Sequence, residues 1–207
     1  MRKLVWLCGL FLALAVPAMA QDELPKFDVF GGYSYVHFSI QPASTFGTGG
    51  NITSNLNGGS GAVAFYPNNW LGLVGDFGGY KVSTLSQGSG SLGVSGTVFT
   101  YLFGPRVRLG HGGITPFAQV LFGGAHTGNI TCPTSNATCA SVTSTGTVFP
   151  SQNAFALTGG GGVDIKVARH FAVRGQAEYL MTRFQQPGTT STGTQNNARI
   201  SVGIVIH

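Results

Sequence analysis

The stretch Phe171-Ala-Val-Arg-Gly-Gln-Ala-Glu-Tyr-Leu-Met-Thr-Arg-Phe184 alternates with period two. Its odd positions Phe171, Val173, Gly175, Ala177, Tyr179 and Met181 are apolar or small, while the even positions include Arg174, Gln176 and Glu178. Successive side chains of a strand point to opposite faces, so this segment has one oily face and one ionic face. Three other segments repeat the pattern. Ile200, Val202, Ile204 and Ile206 oppose Arg199, Ser201 and Gly203. Leu157, Val163, Ile165 and Val167 oppose Thr158, Asp164 and Lys166, and Tyr101, Phe103, Pro105 and Val107 oppose Leu102, Gly104, Arg106 and Arg108.

Working outward, eight segments carry this period: 27–38, 55–66, 71–82, 93–109, 114–126, 154–167, 171–184 and 198–206. Their connections alternate. Pro67–Trp70, Gly110–Gly113 and Ala168–His170 are short, whereas 39–54, 83–92, 127–153 and 185–197 are long and rich in Ser, Thr, Gly and Asn. In an up-and-down antiparallel sheet, alternate connections lie at opposite ends, so one end has tight turns and the other polar loops. Soluble sandwiches have no reason to obey this rule, but outer-membrane barrels do. The predicted fold is therefore all-β, an eight-stranded antiparallel up-and-down transmembrane β-barrel. A soluble exported sandwich or barrel needs charge along its outward face, and few Lys or Glu decorate that face of the segments. About 9–11 residues suffice for a tilted strand to cross a bilayer, and closure leaves no strand edge unpaired in lipid.

Composition agrees. Of 207 residues 33 are Gly, 43% are hydrophobic and only 8% are charged, which excludes a disordered chain and disfavours a helical one. Arg2-Lys3, the apolar run 4–16, Pro17 and Ala18-Met19-Ala20 read as a cleaved signal peptide over 1–20, leaving 21–207 as the barrel domain. Its removal lowers the formal charge from +5 to +3. That charge is dispersed, so no nucleic acid is expected as a partner. Cys132 and Cys139 remain, and an exported chain with paired cysteines is expected to form a disulfide. Zinc needs further ligands that the surrounding sequence lacks, so no metal or other cofactor is expected.

Thr100-Tyr-Leu-Phe-Gly-Pro-Arg-Val-Arg108 and Thr115-Pro-Phe-Ala-Gln-Val-Leu-Phe-Gly-Gly-Ala-His126 resemble small outer-membrane β-barrel proteins of the OmpA transmembrane-domain type. Phe30-Gly-Gly-Tyr-Ser-Tyr35 and Trp70-Leu-Gly-Leu-Val-Gly-Asp76 fit the same pattern, which spans 27–207. The resemblance implies a Gram-negative outer-membrane location, a packed interior, and lipid, lipopolysaccharide and the barrel-insertion machinery as partners. A monomer is expected, and because an even strand count returns the chain to its starting side, both termini are expected in the periplasm. No peptidoglycan-binding domain is expected after the barrel, and the sequence closes on His207 where the family usually has an aromatic residue.

Candidate functional residues fall in three groups. Asp76, Arg106, Arg108, Asp164, Lys166, Arg174, Glu178 and Arg199 are expected inside the barrel, either as an ion-pair network that fills the lumen or as the lining of a narrow porin-like path. Tyr66, Trp70, Tyr80, Tyr101 and Tyr179, with Tyr33, Tyr35 and Phe149, are expected in interfacial girdles. The loop with Cys132 and Cys139 is a candidate surface for an unknown extracellular ligand. Gly88-Ser-Gly-Ser-Leu-Gly93 matches a dinucleotide fingerprint by spacing, but it opens no helix. His37 and His126 near the outer strand ends are the only basis for a lipid-modifying enzyme. The expected role is structural or surface-interacting, without catalysis.

Overall fold

The computed structural model describes residues 25–40, 52–87, 90–110, 112–135, 139, 145–185 and 192–207. Residues 1–20, expected as signal peptide, and His111 lie outside them. The strands are β1 (Phe27–Ile40), β2 (Ile52–Phe65), β3 (Leu71–Gln87), β4 (Gly90–Arg108), β5 (Ile114–Thr127), β6 (Ile130–Thr131), β7 (Thr147–Phe149), β8 (Gln152–Ala168), β9 (Phe171–Gln185) and β10 (Thr192–Ile206). The eight long strands pair in the order β1-β2-β3-β4-β5-β8-β9-β10, always antiparallel. β10 returns to β1 through Gly32↔Gly203 and neighbouring pairs, so the sheet closes into a barrel.

The barrel is inside-out relative to a soluble protein. Ile200, Val202 and Ile204 are 57, 53 and 55% exposed, whereas Arg199 and Ser201 between them are at 0 and 1%. Val173 and Tyr179 face outward in the same way, while Arg174 and Glu178 are buried. An apolar outer wall of this extent is stable only against hydrocarbon.

Two glycines show how so narrow a cylinder closes. Gly32 and Gly203 face one another, and a Cβ on either would sit 2.4 or 2.3 Å from the carbonyl oxygen of Val202 or Gly31. Only a residue without a side chain allows that approach. At the turn end, Gly110 and Gly112 have φ of 121° and 125°. Arg108 N–H donates to Trp70 C=O at 2.7 Å and Tyr66 N–H to Lys26 C=O at 2.8 Å, which ties the turns and the chain start together.

The loop end differs from expectation. Connection 83–92 is mostly strand, since β3 and β4 continue to the pair Gln87↔Gly90. Gly90–Gly93 of the fingerprint match thus belongs to a hairpin arm. Connection 127–153 contains β6 and β7, with Thr131 pairing to Ser95 of β4. Backbone ladders do not require apolar alternation, so Ser/Thr/Gly-rich strands outside a membrane escape a periodicity search. Leu85, Val94, Ile130 and Phe149 are buried there and form part of the apolar core under this ribbon. Cys132 and Cys139 are joined by a disulfide.

Candidate functional site in the lumen

Period two places the lumen residues. Even positions of β1, β3, β4, β8 and β9 point inward, and odd positions of β10 do. Near the turn end, Asp28 Oδ2 accepts from Arg108 Nη2 at 2.7 Å and its Oδ1 lies 2.8 Å from His207 Nδ1. Arg174 holds Asp164 with two parallel bonds, Nε to Oδ1 at 2.6 Å and Nη2 to Oδ2 at 2.7 Å. This fork geometry gives direction as well as charge neutralisation. The Arg108 guanidinium lies over the Tyr66 ring, 3.2 Å from its centroid.

The next layer is continuous. Arg106 Nε donates to Gln119 Oε1 at 2.7 Å, and Gln119 Nε2 donates to Glu178 Oε1 at 2.6 Å. Glu178 Oε2 accepts from Arg199 Nε at 2.8 Å, and Arg199 Nη1 donates to Asp76 Oδ1 at 2.7 Å and to the Tyr80 hydroxyl at 3.3 Å. Arg106 has no carboxylate partner; it packs against the Phe117 ring at 4.4 Å, with Arg174 also near that ring at 4.7 Å. Ser34 links Ser60 and Ser201, both at 2.6 Å. Arg108, Arg174 and Arg199 thus pair with the four carboxylates Asp28, Asp164, Asp76 and Glu178, which suits a low-dielectric interior where charge is costly unless compensated, while Arg106 is held by Gln119 and the Phe117 ring.

Toward the loop end apolar side chains share the lumen with a buried polar cluster, in which the Thr182 hydroxyl donates to Gln195 Oε1 at 3.0 Å and Asn197 Nδ2 donates to that hydroxyl at 3.3 Å. Val36, Phe38, Leu56, Val98, Leu180 and Phe184 close around a void of about 10 Å³, no larger than one water needs. Phe38 and Phe184 lie 6.3 Å apart between centroids. At the opposite mouth, a cavity of about 350 Å³ is lined by Arg108, Asp164, Lys166, Arg169, His170 and His207.

Among the residues singled out from sequence, Asp76, Arg106, Arg108, Asp164, Arg174, Glu178 and Arg199 are buried together. Lys166 is a correction: it has the inward parity, but β8 ends beside it and it is exposed at the turn-end mouth. Tyr66 and Tyr80 are also corrections. Both are buried in the lumen against Arg108 and Arg199, so neither joins an interfacial girdle. Trp70, Tyr101 and Tyr179 are exposed on the outer wall, as is Tyr33, whereas Phe149 is buried in the ribbon. Asp28, Gln119, Gln176 and His207 belong to the network without having been singled out. Parity with Phe30 marks Asp28, and parity with Phe117 marks Gln119.

His37 and His126 sit on β1 and β5, on opposite sides of the barrel. Their Nδ1 atoms contact Oδ1 of Asn55 and Asn153 at 2.9 and 2.8 Å. Among the described residues, no three His, Cys, Asp or Glu side chains could hold a metal.

The family model described as "Outer membrane protein beta-barrel domain" matches residues 6–205. No curated protein matches the chain. Among solved structures, it is similar to Neisserial surface protein A, at 10% identity and a TM-score of 0.56, covering 88% of this chain and 97% of that one. It is similar to OprG from Pseudomonas aeruginosa, at 11% identity and a TM-score of 0.54, with 87% and 94% covered. It is also similar to Ail of Yersinia pestis, at 12% identity and a TM-score of 0.49, with 88% and 100% covered.

Proposed function

The chain belongs to the outer membrane protein β-barrel domain family, and from that premise we propose that it is a sealed, non-catalytic barrel that presents its loop end to the outside of the cell. It is a protein of the Gram-negative outer membrane. Short turns face the periplasm in such barrels and longer connections face outward. The β3–β4 hairpin and the β6–β7 ribbon therefore form the outer display. The disulfide between Cys132 and Cys139 limits the conformations of that ribbon, which favours a defined contact surface.

The filled lumen is the observation that carries the sealed reading. Ion pairs occupy its lower two layers, and the apolar closure above leaves a void of about 10 Å³. Among the described residues, these filled layers leave a hydrated ion no continuous path. Water would have to enter the Val36–Phe184 layer and separate Arg199 from two carboxylates. Planar-bilayer recording tests this directly. Inserted protein, verified by heat-modifiable gel mobility, is expected to give a silent bilayer. Discrete, ion-selective openings would instead support the narrow-channel reading.

The absence of catalysis is part of the proposal. It is supported by the placement of His37 and His126 on opposite sides of the barrel. An acyl-chain assay on lipid A with His37→Ala and His126→Ala controls checks it, and turnover lost in either variant would contradict it.

A further inference from the structure

The cavity of about 350 Å³ at the turn-end mouth falls in the size range of small-molecule sites. Thr115, Asp164 and Ala172 on its wall are buried, so it lies within the barrel and not on the lipid side. Two backbone bonds hold its rim. Lys166 N–H donates to Gly113 C=O at 2.8 Å, which ties the end of β8 to the β4–β5 turn, and His207 N–H donates to His170 C=O at 3.1 Å. The β8–β9 register also shifts between Lys166 and Ala168. Such a bulge re-aims the side chains beside it. Arg169 and His170 form the tight turn that follows.

The carboxylates at this end are already engaged. Both oxygens of Asp164 accept from Arg174, and Asp28 holds Arg108 with one oxygen and His207 with the other. All the acidic side chains among the described residues, Asp28, Asp76, Asp164 and Glu178, are buried. Lys166, Arg169 and His170 are exposed, and all three line the cavity. A carboxylate only accepts, so His207 donates from Nδ1 to Asp28, and Nε2 is the ring nitrogen left for the cavity that His207 lines. The Thr115 hydroxyl on the same wall adds a donor. Cations and donors therefore reach one cavity from β5, from the β8–β9 hairpin and from the residue after β10.

We infer that this mouth binds a phosphate dianion presented from the periplasmic side, carried by a small soluble molecule or by an inner-leaflet lipid headgroup. Two properties select phosphate. The donors stand on separate elements and do not form one planar fork. A planar carboxylate is satisfied by a single fork, as Asp164 is by Arg174, whereas a tetrahedral phosphate offers three oxygens in diverging directions. Its double charge also matches Lys166 and Arg169 together, with neither histidine required to be charged. The site lies at the opposite end from the proposed outer display. It rests on the barrel fold and does not depend on whether the lumen conducts.

Isotope-labelled folded protein in a phosphate-free maltoside detergent, at about pH 7.5 where a phosphate monoester is mostly the dianion, is titrated with sodium phosphate. Sodium chloride and sodium succinate are titrated at matched ionic strength. Backbone amide resonances of Gly112, Lys166, Arg169 and His170 are expected to shift and saturate with phosphate, while those of Lys81 and Arg183 near the loop end stay in place. Lys166→Gln with Arg169→Gln is expected to weaken the apparent affinity about tenfold, the scale of one lost charge-assisted bond. Arg183→Gln is expected to leave it unchanged. Glycerol phosphate and a short-chain phosphatidate separate the two carriers, since saturation of the same amides by the first identifies a soluble ligand and by the second alone a lipid headgroup. Heat-modifiable mobility confirms that every variant is folded and separates failure of this site from failure of the barrel. Shifts no larger with phosphate than with chloride overturn the proposal, as does an equal response to succinate or undiminished affinity in the Lys166/Arg169 variant. An equal loss in Arg183→Gln would show diffuse attraction by the whole protein and would also overturn it.

Discussion

Arg199 sits between Asp76 and Glu178 with no exposure to solvent. Removing it strands two carboxylates in a dry interior, and breaking a buried pair in this way costs about 3–5 kcal/mol. Arg199→Ala is accordingly expected to lower the urea midpoint of the vesicle-inserted barrel strongly, whereas Arg183→Ala on the exposed wall should change it by less than about 0.5 kcal/mol. Period two makes the inward rows of β9 and β10 readable from residues alone, because lipid forbids charge on the other face. The same parity places Tyr66 with Ala62 and Ala64, and Tyr80 with Val74 and Asp76. Sorting these tyrosines by nearness to a strand end, instead of by face, assigns them to the membrane interface; inside the barrel the Tyr66 ring in fact packs under Arg108 and the Tyr80 hydroxyl accepts from Arg199. Lys166 shows the converse limit. Parity fixes the direction of a side chain but not whether the wall continues above it.

Elements within the membrane are legible in sequence and those above it are not. The eight long strands follow from alternation, which hydrocarbon enforces on one face. β6, β7 and the outer arms of β3 and β4 are stabilised by backbone pairing and by a few buried apolar side chains, including Leu85, Val94, Ile130 and Phe149. Nothing periodic marks them in a Ser/Thr/Gly-rich stretch. Because this layer packs above the barrel proper, its disulfide should act locally. Cys132→Ser with Cys139→Ser is expected to speed proteolysis within 127–152 in intact vesicles while changing barrel stability by less than about 1 kcal/mol. Closure itself is sensitive to the Gly32–Gly203 contact. Gly203→Val forces a Cβ to within 2.3 Å of the Gly31 carbonyl oxygen. The β1–β10 seam must then shift, at a cost of about 1–3 kcal/mol or more. A reduced yield of the fast-migrating folded form on unheated gels is the expected readout.

At the scale of the whole molecule, one inversion explains the location. Apolar side chains form the outer wall, and the charge that cannot face lipid lies within, where Arg108, Arg174 and Arg199 are paired with carboxylates and Arg106 is held by Gln119. Tryptophan fluorescence in vesicles of brominated lipid tests that inversion most directly, using residues 21–207 with Trp70→Phe as background. Val173→Trp and Val202→Trp are expected to be strongly quenched by the brominated acyl chains, and Phe117→Trp, which points into the lumen, to be nearly unaffected. Strong quenching at position 117 together with none at 173 and 202 would contradict the inversion and, with it, the membrane barrel.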